Sequence, residues 1–310
     1  MYKDKRVAVV VPAYNEELLI AKVIGTMPIF VDHIVVVDDG SRDGTARAAE
    51  QVGDDRLNLV VHERNTGVGG AVVTGHKTAL ALGADVICIM SGDAQCDPAY
   101  LESLVSPVVE GTCDMAKGNR FYSMDSFRSM PSFRILGNVF MSFLVKFATG
   151  YWRIVDPLFG YLAVNRTSLE RIPLDRISKG YSLENDTLIN LNIIGATVMD
   201  VPIPALYGDE VSKIKLYRDI PSVTWFLFKG FWRRIFWKYV LWSFSPIALF
   251  LVAGIALSAW GALFGLFIVI NTLGPPVAST GTVLLSVGPL LLGLQLILFA
   301  LVLDIQEGSR

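Results

Sequence analysis

The 310-residue sequence predicts an α/β fold: a mostly parallel sheet with helices on both faces, followed by an interfacial helix and two transmembrane helices. Three observations predict it. Short β-branched apolar runs alternate with helical patterns through the opening part of the chain, the order that builds a parallel, helix-covered sheet. No charged residue occurs from Tyr239 to Leu303. Aromatic and basic residues interleave just before that stretch.

The elements follow in order. Residues 6–12 are a short apolar run that reads as a buried parallel strand. It ends in Ala13-Tyr14-Asn15-Glu16-Glu17, and a helix capped by Asn15 is expected to about residue 27. Residues 33–37 form the second strand, ending in Asp38-Asp39-Gly40-Ser41, with Ser41 or Asp43 capping a helix to about residue 52. Residues 57–61 are the third strand, and Asn65-Thr-Gly-Val-Gly-Gly70 leads into a helix reaching residue 82. Residues 86–90 are the fourth; they stop at Ser91-Gly92-Asp93, and Pro98 opens the next helix. A further strand is expected at 114–116, and an amphipathic helix from Phe133 to about residue 147.

Composition sets the class. The chain is 52% hydrophobic, with a mean hydropathy of +0.48, too apolar for a purely soluble protein. A membrane-spanning helix needs about 20 apolar residues. The uncharged stretch holds two such spans, at 246–270 and 283–303, split by Gly274-Pro275-Pro276. The first residues show no signal-peptide pattern, since Lys3, Asp4, Lys5 and Arg6 lead directly into a strand. A net charge of −2 gives no basic footprint for nucleic acid. Cys88, Cys96 and Cys113 lack metal-type spacing and fit a reducing cytosol.

In open α/β sheets, ligands bind beyond the carboxyl ends of the strands. Asp93 and Gln95 sit there, and their oxygens suit Mg²⁺ or Mn²⁺ carrying substrate phosphates. A polar turn with Asp97 as a helix cap is the alternative. Pro12, Tyr14 and Glu16 lie at the first strand end, and Asp38 and Asp39 at the second. An ionised carboxylate only accepts hydrogen bonds, which suits ribose hydroxyls and base N–H groups. Gly67-Val-Gly-Gly70 either brings backbone N–H groups to a phosphate or serves turn geometry. No Gly-Lys-Ser/Thr follows it, and its spacing fails the dinucleotide fingerprint.

Val11-Pro-Ala-Tyr-Asn-Glu16, Val35-Val-Val-Asp-Asp-Gly-Ser41, Asn65-Thr-Gly67 and Asp93-Ala-Gln95 together resemble the motifs of family 2 glycosyltransferases. The resemblance covers about residues 5–240 and is nearest to the polyprenyl-phosphate branch, similar to the dolichol-phosphate mannose synthases. It implies a GT-A (Rossmann-like) fold. It implies that Pro12, Tyr14, Glu16 and Asp39 hold the donor nucleoside, with Asp38, Gly67 and Gly92 close by. Asp93 and Gln95 would hold the metal; Ser91 stands where the family usually has an aspartate, and would ligate weakly or through water. Arg120 matches a phosphate-binding arginine. Arg134 and Asn138 match the residues that meet the lipid phosphate, joined by Ser212 and Lys213 in the acceptor loop. Asp156-Pro-Leu-Phe-Gly160 matches an element shaping the sugar pocket. Glu184 and Asp186 either touch the sugar or orient the acceptor, with helix capping as the alternative.

The run from Trp225 to Lys238 has the composition of an interfacial helix, with rings at headgroup depth and Lys229, Arg233, Arg234 and Lys238 toward anionic lipid. The expected organisation is a cytoplasmic catalytic domain at 1–217, an interfacial helix at 218–240 and a two-helix hairpin at 241–310. The expected protein is a multi-pass enzyme of the plasma (inner) membrane. It would move one sugar from a UDP- or GDP-linked donor to a polyprenyl or dolichyl phosphate, with Mg²⁺ or Mn²⁺ as cofactor. A second copy is an expected partner through the transmembrane helices. Two alternatives stand beside this reading: a catalytically impaired nucleotide-sugar-binding scaffold, favoured by Ser91, and a polysaccharide synthase. The latter usually carries a Gln-x-x-Arg-Trp motif, which this sequence lacks.

Overall fold

Strands β1 (Val7–Ala13), β2 (His33–Asp38), β3 (Leu57–Val61) and β4 (Val86–Ile89) form at the four expected runs. The computed structural model describes residues 1–122, 132–180, 182–204, 216–272 and 278–308; at 132–136, 138 and 216–220 it describes the backbone alone. Alternation along β1 shows why the run is apolar throughout. Val7, Val9 and Val11 enter a core on one face of the sheet, and Ala8 and Val10 enter a core on the other. Both faces are covered, and only Pro12, at the end of the strand, is partly exposed.

Three more strands complete the sheet: β5 (Met115–Asn119), β6 (Leu162–Asn165) and β7 (Val198–Pro202). The order is β3-β2-β1-β4-β6-β5-β7. β6 runs antiparallel to β4 and β5, and the remaining pairs are parallel. β5 extends past the expected 114–116 because Lys117, Gly118 and Asn119 keep their register with β7. Helices α1 (Ile20–Gly25), α2 (Thr45–Gln51), α3 (Val68–Ala81) and α4 (Leu101–Val109) connect the first strands.

Asn15 does not cap α1, which starts at Ile20. Asn15 takes φ +58°; its Oδ1 accepts the Arg42 N–H at 2.9 Å and its own N–H donates to Ser41 Oγ at 2.9 Å. Its polar groups are spent on tying the exits of β1 and β2 together. Asp97, by contrast, does accept the Ala99 N–H at the start of the short turn Pro98–Tyr100.

The chain divides into two units, Met1–Phe231 and Trp232–Arg310. The second opens on the last turn of the helix Leu216–Arg234, which runs on into π-helical turns over Ile235–Trp242. Trp232, Phe236, Trp237 and Trp242 are exposed there. Arg234 does not face lipid headgroups as expected. It is fully buried and forks onto Asp304, Nη1 to Oδ1 at 2.6 Å and Nη2 to Oδ2 at 2.8 Å. The Tyr239 hydroxyl donates to the same carboxylate at 2.6 Å. A buried carboxylate needs such donors, and Asp304 draws the arginine inward. Lys238 lies 3.5 Å from Glu307.

Two apolar helices follow, Pro246–Asn271 and Thr280–Glu307, each long enough to cross a membrane. Ser245 and Ser279 cap them. They pack closely because small residues line the contact: a Cβ on Gly261 would lie 2.6 Å from Ser286 O, and one on Gly293 would lie 2.5 Å from Ser258 N. The Ser286 hydroxyl donates to Gly261 O at 2.8 Å.

Candidate active site

Of the predicted site residues, Pro12, Tyr14, Asp38, Asp39, Ser91, Asp93 and Gln95 lie at the carboxyl edge of β1, β2 and β4. Pairing continues beyond the strand ends: Met90 N–H donates to Val10 O at 3.0 Å and Gly92 N–H to Pro12 O at 3.3 Å. This lays Ser91-Gly92-Asp93 alongside Pro12. A Cβ at Gly92 would sit 3.0 Å from Pro12 O and 3.3 Å from Ala13 Cβ, so glycine permits the approach.

Two cavities open here. One, of about 330 Å³, is lined by Pro12, Tyr14, Asp39, Asn65, Gly67 and Gly180, among others. The second, of about 250 Å³, is lined by Ser91, Gln95, Arg120, Gly160 and Glu184 at its polar part and by Val72, Ile89, Met115 and Leu183 deeper in. Pro12 and Val68 belong to both walls. A larger cavity of about 510 Å³ beside Ala94–Ala99 is lined by none of the predicted site residues.

Asp39 is 2% exposed and holds the loop after β3. Its Oδ1 lies 2.8 Å from His62 Nδ1 and accepts from Thr66 N at 2.9 Å and Thr66 Oγ1 at 2.8 Å, while Oδ2 accepts from Gly67 N at 2.8 Å. Asp38, also buried, accepts the Ser41 N–H at 2.9 Å. Glu16 is half-buried, its N–H donating to Thr45 Oγ1 at the start of α2 at 2.8 Å. Two N–H groups at the glycine-rich start of α3 are already engaged by the protein: Gly67 N–H goes to Asp39 and Asn65, and Gly69 N–H to Lys179 O at 3.0 Å. The glycines also serve close packing: Gly67 has φ +87°, and a Cβ there would lie 2.7 Å from Lys179 O.

Asp93 Oδ1 accepts the Gln95 N–H at 3.0 Å across Ala94, whose φ is +59°. An alanine in the left-handed region stores about 1–3 kcal/mol of strain, of the kind concentrated at functional sites. The oxygens of Ser91, Asp93 and Gln95 fit a hard divalent ion in kind. Among the described residues no three His, Cys, Asp or Glu gather as a metal site.

Arg120 forks onto Asp156, Nε to Oδ2 at 2.7 Å and Nη2 to Oδ1 at 3.1 Å, and its Cζ lies 4.5 Å over the Phe159 ring. Asp156 is buried and anchors the arginine; Gly160 and Glu184 line the cavity itself. Glu184 and Asp186 differ in placement. A Cβ on Gly160 would lie 3.7 Å from Glu184 Oε1. Asp186 is buried and accepts from Ser178 N at 2.8 Å and Asn190 Nδ2 at 3.2 Å, so it braces the helix Leu183–Ile193. The side chains of Arg134 and Asn138, on the helix Ser132–Thr149, lie outside the described residues, as do Ser212 and Lys213.

Sequence reasoning did not single out Lys117, Asp200 or His76. Lys117 is fully buried in β5 and its Nζ donates to Phe159 O. Burial lowers its pKa, opposed by Glu184 and Asp156 nearby. Burial raises the Glu184 carboxyl, opposed by Lys117, and pushes Asp200 up to about 6. His76 Nε2, at the cavity wall, has no partner among the described residues, and burial takes the imidazole down to about 4. A lysine within a strand of otherwise apolar and small residues was the available signal for Lys117.

The model of glycosyl transferase family 2 matches residues 8–172. The chain is 28% identical over 221 residues to a UDP-N-acetylglucosamine–dolichyl-phosphate N-acetylglucosaminyltransferase of Methanococcus voltae, covering 66% of this chain and 88% of that protein. It is 32% identical over 207 residues to a polyprenol monophosphomannose synthase of Mycolicibacterium smegmatis, covering 64% and 77%. In structure it resembles glucosyl-3-phosphoglycerate synthase from Mycobacterium tuberculosis, solved with Mn²⁺, UDP-glucose and phosphoglyceric acid, with a TM-score of 0.57 at 21% identity over 74% of this chain and 80% of that one. That likeness bears on the GT-A-like fold alone. The family match spans more than half of the chain and contains the strand ends, the Asp93-Ala94-Gln95 turn and the Arg120–Asp156 pair: this chain belongs to glycosyl transferase family 2.

Proposed function

We propose that this glycosyltransferase moves one sugar from a UDP- or GDP-linked donor to a polyprenyl or dolichyl phosphate, at the cytoplasmic face of a membrane. The observation that carries the reading is the shared wall of the two cavities at Pro12 and Val68. A nucleoside held by Pro12, Tyr14, Asp39 and Gly67 would direct its diphosphate past Gly92 toward Asp93, Gln95 and Arg120. Its sugar would then enter the cavity bounded by Gly160 and Glu184. The named activities of the Methanococcus and Mycolicibacterium relatives support a lipid-phosphate acceptor.

The acceptor phosphate is already an anion at neutral pH and needs no strong base. Its oxygen attacks the anomeric carbon while the bond to the nucleoside diphosphate breaks, in one displacement with inversion. Orientation of the two reactants supplies much of the rate. Arg120 and Arg134 stabilise phosphate charge. Mg²⁺ or Mn²⁺, held by Asp93 and Gln95 with Ser91 nearby, would neutralise charge on the leaving diphosphate. Asp156, bonded to Arg120, and Asp186, bonded to Ser178 and Asn190, position their neighbours.

The apolar helices Pro246–Asn271 and Thr280–Glu307 are read as a membrane hairpin. The Arg234–Asp304 fork supports a common side for the start and the end of that hairpin. The basic residues before it favour the cytoplasm for that side. The test is a panel of radiolabelled UDP- and GDP-sugars with polyprenyl phosphate, each with Mg²⁺, Mn²⁺ or chelator. Transfer of label into the lipid phase with one donor, lost on chelation, is expected. Donor binding without transfer to any lipid phosphate would favour the scaffold reading.

A further inference from the structure

We infer that the helix Thr280–Glu307 pairs with its own copy in a second chain, inside the bilayer, along a seam centred on Gln295. The inference rests on the reading that this helix spans a membrane.

The apolar helices treat their polar side chains differently. Ser286 is buried and bonds Gly261 O. Ser258 faces the other helix, its Oγ against the place a Gly293 Cβ would take. Gln295 is turned outward and exposed, with no hydrogen bond to the described residues. It lies roughly 22 Å along the axis from Thr280 and roughly 18 Å from Glu307 at 1.5 Å per residue. A bilayer's hydrocarbon is about 30 Å thick, so the amide falls within it. Lipid tails satisfy the surrounding leucines but offer nothing to a carboxamide.

The spacing around Gln295 shows what would. Leu284, Gly288, Leu291, Gln295, Leu298 and Val302 are all exposed and alternate steps of four and three residues, the pattern of a left-handed helix-pairing seam. The opposite side of the helix is already occupied, with Ser286, Gly293, Ala300 and Asp304 buried. Gly288 has open space where a Cβ would stand, which leaves a hollow for a close-approaching helix. A carboxamide both donates and accepts. Across a two-fold axis, one Gln295 therefore satisfies the other without a third group, which makes a second copy the fitting occupant. One polar position in such a seam also sets its register.

The experiment uses the full chain in native membranes. Leu291→Cys and Leu298→Cys lie on the seam, and Leu294→Cys is an exposed flank control; the native Cys88, Cys96 and Cys113 are buried. Mild oxidation should give a disulfide-linked species of twice the chain mass at the two seam positions and little at the flank. Adding Gln295→Leu should weaken self-association about tenfold, as loss of interhelical amide bonds does. Equal yields at seam and flank, no dimer at any position, an adduct with a different protein, or an unchanged yield with Gln295→Leu would each overturn the inference. A carbonate wash of the same membranes separates the two readings. A chain released by the wash refutes the membrane assignment and this seam with it; a chain retained without seam-specific linkage refutes the seam alone.

Discussion

Breaking the Arg120–Asp156 pair from its two sides should destabilise the protein by different amounts. Asp156 is 1% exposed and receives three N–H groups of Arg120: Nε at 2.7 Å, Nη2 at 3.1 Å and the backbone N at 3.3 Å. The Arg120 side chain is 28% exposed and retains a route to water. Arg120→Ala leaves a carboxylate out of water with one backbone donor, and loses the contact over Phe159. Stranding a buried charge in this way costs about 3–5 kcal/mol. Asp156→Asn keeps an amide oxygen for one donor, and the guanidinium can swing outward. Losing a charge-assisted bond costs about 1.5–3 kcal/mol. The double variant Arg120→Met, Asp156→Leu removes both charges and should recover most of the stability, because an apolar pair of similar volume commonly replaces a buried ion pair without loss. Its transfer rate should nevertheless fall about tenfold to hundredfold, since a phosphate contact is gone. Denaturation followed by tryptophan fluorescence, with initial transfer rates on the same preparations, reads both quantities. An Arg120→Ala protein as stable as the parent, or an Asp156→Asn protein that suffers more, would refute the anchoring argument. A double variant with parental rates would remove Arg120 from the phosphate.

Asp93→Asn keeps an oxygen for the Gln95 N–H, so the fold should hold while transfer is abolished. Near-normal rates at low Mn²⁺ would remove Asp93 from the metal site. Gly67→Ala forces a Cβ to 2.7 Å from Lys179 O at φ +87°; a loss of about 1–3 kcal/mol and weaker nucleotide binding by calorimetry are expected, and a parental melt would show that the loop tolerates the side chain. Asp200 gives a pH signature. Its folded pKa is raised to about 6 by burial, from an ordinary 3.8, and its Oδ1 has no partner among the described residues. The protonated form is therefore favoured in the fold: this stabilisation is complete below pH ~4, is lost as pH rises toward ~6 and is absent above. Asp200→Asn should flatten the stability curve between those values and raise stability at pH 7 by up to about 3 kcal/mol, each pKa unit being about 1.4 kcal/mol. An unchanged slope in denaturant midpoints from pH 4 to 6 would exclude the proposal.

Much of the sheet was legible because β1, β2 and β4 are buried on both faces, which demands unbroken apolar runs. β6 and β7 were not. Leu162-Ala-Val-Asn165 is short, and Val198-Met-Asp-Val-Pro202 is only partly buried, so neither stands out from the loops around it. The antiparallel insertion of β6 between β4 and β5 is a long-range pairing that local pattern cannot express. Arg234 failed for a related reason. In an interleaved aromatic-basic run every cation looks lipid-facing, and only the far-off Asp304 selects one of them for burial.

The same limit explains the mixed legibility of the site. Strand ends are local, so Pro12, Tyr14, Asp39 and Gly67 could be named together, and they do line one cavity. What a carboxylate does at such an end is decided by donors arriving from elsewhere. Asp39 and Asp93 look alike in sequence, each an acid just past a strand. Asp39 meets His62, Thr66 and Gly67 and has both oxygens engaged by the protein. Among the described residues Asp93 accepts one hydrogen bond, from a residue two positions on, over a strained alanine. Glu184 and Asp186 part in the same way, one beside the cavity at Gly160 and the other bonded to Ser178 and Asn190. A carboxylate already satisfied by the scaffold shapes the pocket; one held by a single local bond keeps capacity for a ligand. Counting the donors around each acid therefore ranks Asp93 and Glu184 above Asp39 and Asp186 as groups that meet substrate. The ranking predicts that Asp39→Asn will be felt in the folding of the 62–67 loop at least as strongly as in nucleotide affinity.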